Sequence, residues 1–263
     1  MRDGRIVLFV LFFTQKEKGV TMITFEHVSK SYDGRVKAVD DVSFSVNQGE
    51  IVGFIGPNGS GKTTSMKMMT GILSPDSGKI TVAGYDIEKE PLKAKQQIGY
   101  SSDNPDQFLR LKGLEYLNLI ADIYGISAND REKRIESFAK TFGIYDALNR
   151  PMSSYSHGMR QKMMVIGALI HEPDVWILDE PMTGLDPESA FILKNMMKEH
   201  AAKGHAVLFS THVLEVAEKL CDRVVIIRYG KILYEGTLEE LVKQHEKKTL
   251  EEIFLEMMNH EGI

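Results

Sequence analysis

The chain has 263 residues, a formal net charge of −5 and 43% hydrophobic residues, a length that allows one large domain or a domain with a subdomain. The slightly acidic balance argues against a general nucleic-acid binder, which is usually basic. Cys221 is the single cysteine, so an internal disulfide is excluded.

The first residues show no segment that could cross a bilayer. The longest apolar run, "IVLFVLFF" (6–13), falls far short of the ~18–20 residues that a spanning helix needs. A strand-like stretch, "MITFEHVSK", begins at Met22. We interpret residues 1–21 as a non-native or disordered leader and Met22 as the native start. A short membrane-surface anchor remains the alternative.

Alternating and then continuous apolar residues predict strands over residues 22–55, with turns at Asp33-Gly34 and at "NQGE". A helix is expected from Lys62 to about Leu73, followed by a strand in "KITVAGYDI". The pattern then becomes helical, and we expect a helical subdomain over about 91–160. Its second helix should be capped by Ser127, with Asp130 three residues later.

Strands and helices alternate again from Met163. "DVWILDE" and "AVLFST" are short apolar runs typical of central parallel strands. "DRVVIIRYGKILYEG" predicts a hairpin that turns at Tyr229-Gly230. The sequence from Thr237 predicts two short amphipathic helices, and 241–263 is taken as a short helical C-terminal tail.

The segment "GPNGSGKTT" carries the clearest chemistry. It has the pattern G-x-x-x-x-G-K-T between a strand and a helix, which is a phosphate-binding loop. Glycines let backbone N–H groups surround phosphate oxygens, and the helix adds its positive end. Lys62 should reach the β- and γ-phosphates, Thr63 should ligate Mg²⁺, and Thr64 can add a phosphate contact. The candidate nucleotide-binding residues are Gly56, Pro57, Asn58, Gly59, Ser60, Gly61, Lys62, Thr63 and Thr64.

Two carboxylates follow the apolar strand "VWIL". Asp179 can hold the Mg²⁺ shell, and Glu180 can orient and deprotonate the attacking water. An ordinary pair of helix-capping acids is the alternative reading of these two residues.

In motif order the sequence resembles the nucleotide-binding subunits of ABC transporters over essentially all of residues 22–240. The resemblance implies an α/β fold: a RecA-like P-loop NTPase core with a mainly parallel sheet, an N-terminal antiparallel β-subdomain and an inserted α-helical subdomain. It places Tyr32 on adenine and His212 at the γ-phosphate. "YSHGMRQK" stands at the signature position and "MTGLDP", with Asp186, at the D-loop. The alternatives are that Tyr32 packs a strand end and that His212 is a capping or core histidine.

Two positions depart from the family pattern. Asp103 stands where the family has a glutamine near Mg²⁺ and the attacking water, which adds a negative charge beside the triphosphate. In the signature, Ser156 and Gly158 keep the hydroxyl and the glycine that would contact phosphate, whereas His157 and Met159 replace Gly and Gln. Ser153 or Ser156 should cap the helix that follows. The resemblance does not account for His157.

The resemblance implies a subunit that binds and hydrolyses Mg-ATP at the cytoplasmic face of the membrane. Its catalytic residues would be Glu180, His212, Lys62 and Asp103, and its Mg²⁺ ligands Thr63, Asp179 and Asp103. The partners would be a separate multispan permease, which docks near 103–110, and a second ATPase subunit; no nucleic acid is expected. The short tail favours an exporter. A soluble ABC-type ATPase without a permease is the alternative, and the sequence does not give the substrate.

Overall fold

The computed structural model describes residues 19–245 and 248–259. Most of the expected leader, including the apolar run 6–13, lies outside the described residues. Within them the first strand begins at Thr21, next to the expected start at Met22. No helix in the described ranges is long and apolar enough to cross a membrane.

A four-stranded antiparallel sheet, ordered β2-β1-β4-β5, forms the amino-terminal layer. Its strands are β1 (Thr21–Ser31), β2 (Lys37–Asn47), β4 (Ser77–Val82) and β5 (Tyr85–Asp86). Inward residues of β1 and β2 alternate with exposed ones, and Phe25 stacks on Phe44 at 4.8 Å. This alternation is what a sheet with one buried face requires.

The second sheet has six strands in the order β10-β9-β3-β8-β7-β6, all parallel except for the antiparallel edge strand β10. Its strands are β3 (Ile51–Ile55), β6 (Ile98–Ser101), β7 (Val175–Leu178), β8 (Ala206–Thr211), β9 (Arg223–Arg228) and β10 (Lys231–Gly236). Strands β3, β7 and β8 are fully buried, as parallel strands covered on both faces should be. The expected mainly parallel core is confirmed.

Helices surround the six-stranded sheet. They are α1 (Lys62–Met69), α2 (Pro91–Gln96), α3 (Gly113–Ile123), α4 (Ala128–Thr141), α5 (His157–Leu169), α6 (Pro187–Ala202), α7 (Leu214–Leu220), α8 (Leu238–Gln244) and α9 (Leu250–Asn259). The predicted cap of α4 is confirmed, because the Ser127 hydroxyl accepts from the Asp130 N–H.

Two expectations change in detail. The region expected to be helical, 91–160, contains strand β6, which the sequence analysis missed because Gly99 interrupts its apolar pattern. A Cβ at Gly99 would lie 2.1 Å from the Ala168 carbonyl, so close helix packing explains the glycine. Helix α1 ends at Met69, four residues before Leu73. The two tail helices expected after Thr237 are present as α8, which begins at Leu238, and α9.

The turn between β9 and β10 lies at Tyr229-Gly230, as predicted. Both residues have positive φ angles, 48° and 76°, which is the two-residue geometry that matches the twist of a hairpin. The Gly230 N–H donates to the Ser60 carbonyl at 2.9 Å, and the Gly230 carbonyl accepts from the Asp40 N–H at 2.8 Å. The hairpin therefore contacts both β2 and the loop before α1.

Candidate functional site

The loop of residues 56–61 joins central strand β3 to helix α1 and is held tightly by its neighbours. Gly61 precedes α1 with φ 112°, and a Cβ there would lie 2.5 Å from the Ala38 carbonyl. A Cβ at Gly56 would lie 2.3 Å from the Ile227 carbonyl. Only glycine can be accommodated this close to a neighbouring carbonyl. The surrounding strands therefore fix the backbone conformation of the loop, which leads directly into the start of α1.

Lys62 points back into this loop. Its Nζ donates to the carbonyls of Gly56 and Pro57, at 2.7 and 3.2 Å, and lies 3.4 Å from Glu180 Oε1. The side chain is 6% exposed. A buried ammonium that faces a loop of backbone N–H groups is suited to a polyanion such as a nucleotide triphosphate.

Asp179 follows β7 and is fully buried. Its Oδ1 accepts a 2.6 Å hydrogen bond from Ser210 Oγ, while Oδ2 has no hydrogen-bond partner in the described part of the chain. Burial raises the pKa of this carboxyl, and the hydroxyls of Ser210 and Thr63 partly offset that rise. A buried carboxylate with one oxygen unpaired fits a divalent cation held jointly with Thr63 and phosphate oxygens.

Glu180 has an unusual backbone at the end of the same strand. Its φ is 47°, a left-handed value that is uncommon for a residue with a side chain. Its N–H donates to Ser210 Oγ at 2.8 Å, and its Oε2 lies 3.0 Å from Nδ1 of His212. The carboxylate is 20% exposed and the imidazole 55%, so this pair lies at the mouth of the site.

Many of the predicted nucleotide-site residues line one cavity of about 370 Å³, whereas Gly56, Pro57, Ser60, Asp179 and His212 do not. It is lined by Tyr32, Ala38, Asn58, Gly59, Gly61, Lys62, Thr63, Thr64, Asp103 and Glu180. Tyr32 lies at its rim, 66% exposed, with Oη 3.2 Å from Thr64 Oγ1. Asp103 is close enough that its charge contributes to the raised pKa of Asp179.

Ser156, Gly158 and Asp186 do not line that cavity. Ser156 caps α5 by accepting from the Met159 N–H at 3.2 Å, so Ser156 and not Ser153 is the cap. Asp186 caps α6 by accepting from the Ser189 N–H at 2.8 Å and also pairs with Lys162 at 3.2 Å. The starts of α5 and α6 form a second group of residues on the surface. The two segments are in contact where Gly158 approaches the Gly184 carbonyl.

Sequence reasoning missed Ser210. It lies on β8, which runs parallel to β7 with Leu178 opposite Phe209, so Ser210 lies next to Asp179. It is fully buried, and its hydroxyl contacts both acidic residues of the site. The available signal was a polar residue that continues the apolar run "AVLF".

Cys221 lies among buried residues of the core, and burial raises the pKa of its thiol. It is therefore a packing residue and not a reactive one. Among the described residues, no cluster of three or more His, Cys, Asp and Glu side chains could hold a metal ion.

A strand, a phosphate loop and a helix, together with a buried aspartate at the end of a parallel strand of the same sheet, define a P-loop nucleoside triphosphatase. The sequence profile of the family described as "ABC transporter" matches residues 39–183. The chain is 38% identical over 238 residues to the ABC transporter ATP-binding protein NatA of Bacillus subtilis, covering 89% of this chain and 97% of that relative. The chain therefore belongs to the ABC transporter family, as an ATP-binding subunit with ATPase activity.

Two further comparisons agree with this assignment. The chain is 37% identical to the doxorubicin resistance ATP-binding protein DrrA of Mycobacterium tuberculosis, covering 81% of this chain and 65% of that protein. A solved structure described as the ATP-binding subunit of an ABC transporter superposes with a TM-score of 0.86 at 34% identity. That match covers 91% of this chain and 100% of the solved chain, so the RecA-like core and both added subdomains are confirmed.

Proposed function

We propose that this subunit hydrolyses Mg-ATP at the cytoplasmic face of the membrane and thereby powers export by a separate multispan permease. The observation that carries the proposal is that Lys62, Thr63, Asp103 and Glu180 line one cavity together with Tyr32. An ammonium, a hydroxyl and carboxylates beside a phosphate loop are the groups that phosphoryl transfer to water requires.

The phosphate loop and Lys62 bind the triphosphate in this proposal. The backbone N–H groups of 56–61 and the start of α1 contact phosphate oxygens, and Thr64 adds a hydroxyl. The Lys62 ammonium exchanges its bonds to the Gly56 and Pro57 carbonyls for the β- and γ-phosphates. Tyr32, exposed at the rim, offers its ring face to the adenine.

Thr63 and Asp179 hold Mg²⁺, and Asp103 contributes an oxygen to its shell. When bound, the ion neutralises charge on the β- and γ-phosphates. The unpaired Oδ2 of Asp179 is the observation that supports this ligand set. Ser210 fixes the other carboxylate oxygen and so sets the direction in which Oδ2 points.

Glu180 acts as the general base toward the attacking water. Its contact with His212, at 3.0 Å, orients the carboxylate and leaves the exposed imidazole to face the γ-phosphate. The Ser210 hydroxyl holds the Glu180 backbone in its left-handed conformation, which aims the side chain at the cavity.

Ser156, Gly158 and Asp186, which lie outside the cavity, contact a second copy of the chain or a related subunit in this proposal. Ser156 and Gly158 begin α5 on the surface, where a hydroxyl and N–H groups can receive the γ-phosphate that the other subunit holds. Two ATP molecules are then sandwiched in a head-to-tail pair. Asp186 lies at the seam, and opening follows loss of the bridging phosphate.

The helical region and the segment 103–110 are the proposed docking site for the permease. Export is favoured because relatives of this chain are named for doxorubicin resistance and linearmycin resistance. ATPase subunits do not touch the transported molecule, so no residue of this chain identifies the substrate.

The test is Glu180→Gln with ATP and Mg²⁺, followed by size analysis and an ATPase assay. Loss of hydrolysis should trap the sandwich as a stable dimer. The matched control is Glu218→Gln, a charge removal at an exposed position of α7, which should hydrolyse at the wild-type rate. A Glu180→Gln protein that hydrolyses ATP normally would overturn the mechanism.

The permease is tested by co-purification of the subunit from membranes of its own organism, followed by identification of any multispan protein that is retained. The same experiment covers a heteromeric pair, in which Glu180→Gln alone would remain monomeric. Failure to bind any membrane protein, together with normal ATPase activity, would favour the soluble ATPase without a permease.

A further inference from the structure

His157 occupies the first turn of α5, where the family pattern has a glycine, and its ring covers another glycine in the same chain. A Cβ built on Gly184 would lie 2.2 Å from Cδ2 and 2.9 Å from Nε2 of His157. The imidazole therefore fills the space that a side chain at position 184 would need. Gly184 also has φ 77°, a conformation that favours glycine.

Two more contacts join the same segments. A Cβ on Gly158 would lie 2.6 Å from the Gly184 carbonyl, so the start of α5 approaches the loop of residues 181–186 at backbone distance. One turn further along α5, Lys162 Nζ lies 3.2 Å from Asp186 Oδ2, and the lysine is only 13% exposed. The loop is thus attached to α5 at its middle and at its end.

At its amino-terminal end, the loop of residues 181–186 follows directly after Glu180, the proposed general base. The Thr183 N–H donates to the Glu180 carbonyl at 3.1 Å, and the Leu185 N–H donates to Met182 at 3.3 Å. These local bonds make 180–185 a compact pair of turns with few backbone degrees of freedom. Gly184 and Glu180 are thus joined by a short segment of consecutive hydrogen-bonded turns.

We propose that His157 is a positioning residue that locks the Ser156 turn to the 181–186 loop, so that the two segments shift as one unit. The inference rests on one part of the proposed function. Ser156 contacts the ATP that the other subunit holds, whereas Glu180 acts on the ATP bound by its own chain. The His157 contact therefore couples the two ATP sites through a single chain. A glycine at 157, as in the family pattern, has no ring to make this contact.

A double-mutant cycle with His157→Ala and Gly184→Ala tests the contact directly. Gly184→Ala places a methyl group in the space that the His157 imidazole occupies, so kcat should fall on the order of tenfold. His157→Ala removes the ring and with it the lock, so kcat should fall about threefold. Adding His157→Ala to Gly184→Ala should bring kcat back to near the level of His157→Ala alone, because the new methyl group then meets no ring and only the penalty of a positive φ is added. His157→Phe keeps a flat ring and should behave like the wild type.

The KM for ATP separates positioning from general damage. His157 and Gly184 do not line the nucleotide cavity, so these variants should change kcat and leave KM within about twofold. Ser153→Ala, an exposed side chain three residues before the cap, is the matched control and should change neither constant.

Hydrogen exchange on the full chain without nucleotide gives a readout that does not depend on ATP hydrolysis. His157→Ala should raise exchange at the Thr183 and Leu185 amides on the order of tenfold, with little change in β3. Strictly additive mutational effects together with unchanged exchange would overturn the inference. If the wild type failed to hydrolyse ATP, the proposed function would fail, while the exchange result would still decide the contact.

Discussion

Ser210 donates a 2.6 Å hydrogen bond to Asp179 and, through the same oxygen, accepts a 2.8 Å bond from the Glu180 N–H. One buried hydroxyl thereby holds the proposed magnesium ligand and the proposed general base in a fixed relation. Since both bonds come from the adjacent parallel strand, the geometry is set by the sheet and not by the flexible mouth of the site.

Replacement of Ser210 by alanine should impair hydrolysis more than nucleotide binding. The change removes the donor from a buried carboxylate and frees the strained Glu180 backbone, so we expect kcat to fall about tenfold to a hundredfold and KM for ATP to change little. Steady-state kinetics at several Mg²⁺ concentrations provide the measurement. Ser210→Thr keeps the hydroxyl and should recover most of the rate.

Ser101→Ala is the matched control for this change. Ser101 is equally buried on β6, the strand on the other side of β7, and its hydroxyl has no hydrogen-bond partner among the described residues. Equal losses in the Ser101 and Ser210 variants would show that packing, and not the hydrogen bond, explains the result.

Asp103→Asn should strengthen the binding of ATP. The substitution keeps the size of the side chain but removes a negative charge from the cavity that would receive the triphosphate, so KM should fall about fivefold. The rate should also depend less steeply on free Mg²⁺, because one candidate ligand oxygen is lost. The measurement is a two-dimensional titration of ATP against Mg²⁺.

Glu88→Gln is the control for Asp103, since it removes an exposed charge outside the cavity. An Asp103→Ala variant with unchanged hydrolysis and coupling to the permease would contradict the role assigned to Asp103.

Tyr32→Ala should raise the KM for ATP about tenfold with kcat nearly unchanged, because ring stacking on a base is worth about 1–3 kcal/mol. Tyr32→Trp should retain binding. Tyr32→Phe isolates the contact of Oη with Thr64. Fluorescent ATP binding is the measurement, and Tyr145→Ala, an exposed tyrosine outside the cavity, is the control. Wild-type affinity in Tyr32→Ala would show that the ring packs a strand end instead.

The fold should lose stability as the pH falls from about 6.5 to about 4. Burial lowers the pKa of both His171 and His200 to about 4, so the native state keeps them neutral while the unfolded chain takes up protons. Stability therefore rises with pH across this window, by up to about 1.4 kcal/mol per pH unit for each histidine.

Urea unfolding at pH 7, 6 and 5 measures this dependence. Trp176, the single tryptophan, lies 5.6 Å from His200 in an edge-on contact and reports the transition. His200→Gln should flatten the slope, whereas His27→Gln, at an exposed position, should not. An identical slope in wild type and His200→Gln would exclude a contribution from His200.

The long elements and the phosphate loop could be predicted because their signals are local. The G-x-x-x-x-G-K-T spacing, the Ser127 cap and the apolar runs of β7 and β8 each depend on residues close in sequence. Strand β6 could not, because its glycine is explained only by the distant Ala168 carbonyl.

The same distinction applies to the site. All cavity residues except Ala38 were predicted, from motifs, whereas Ser210 required knowledge that β7 and β8 are neighbours in register. The partner of His157 could not be read from the sequence either, since Gly184 reaches it through the loop after Glu180 and not through helical or strand spacing.

Strand β3 and its loop come early in the chain, yet β3 lies between β8 and β9 in the sheet, and Ser60 is bound by Gly230 of the last hairpin. During synthesis on the ribosome, this segment is exposed long before the strands that enclose it exist. We expect the nascent chain to gain nucleotide affinity only once the final hairpin has emerged, so ligand cannot assist the early stages of folding. Until then, the unpaired apolar strand "IVGFI" is the segment that a chaperone would be expected to cover.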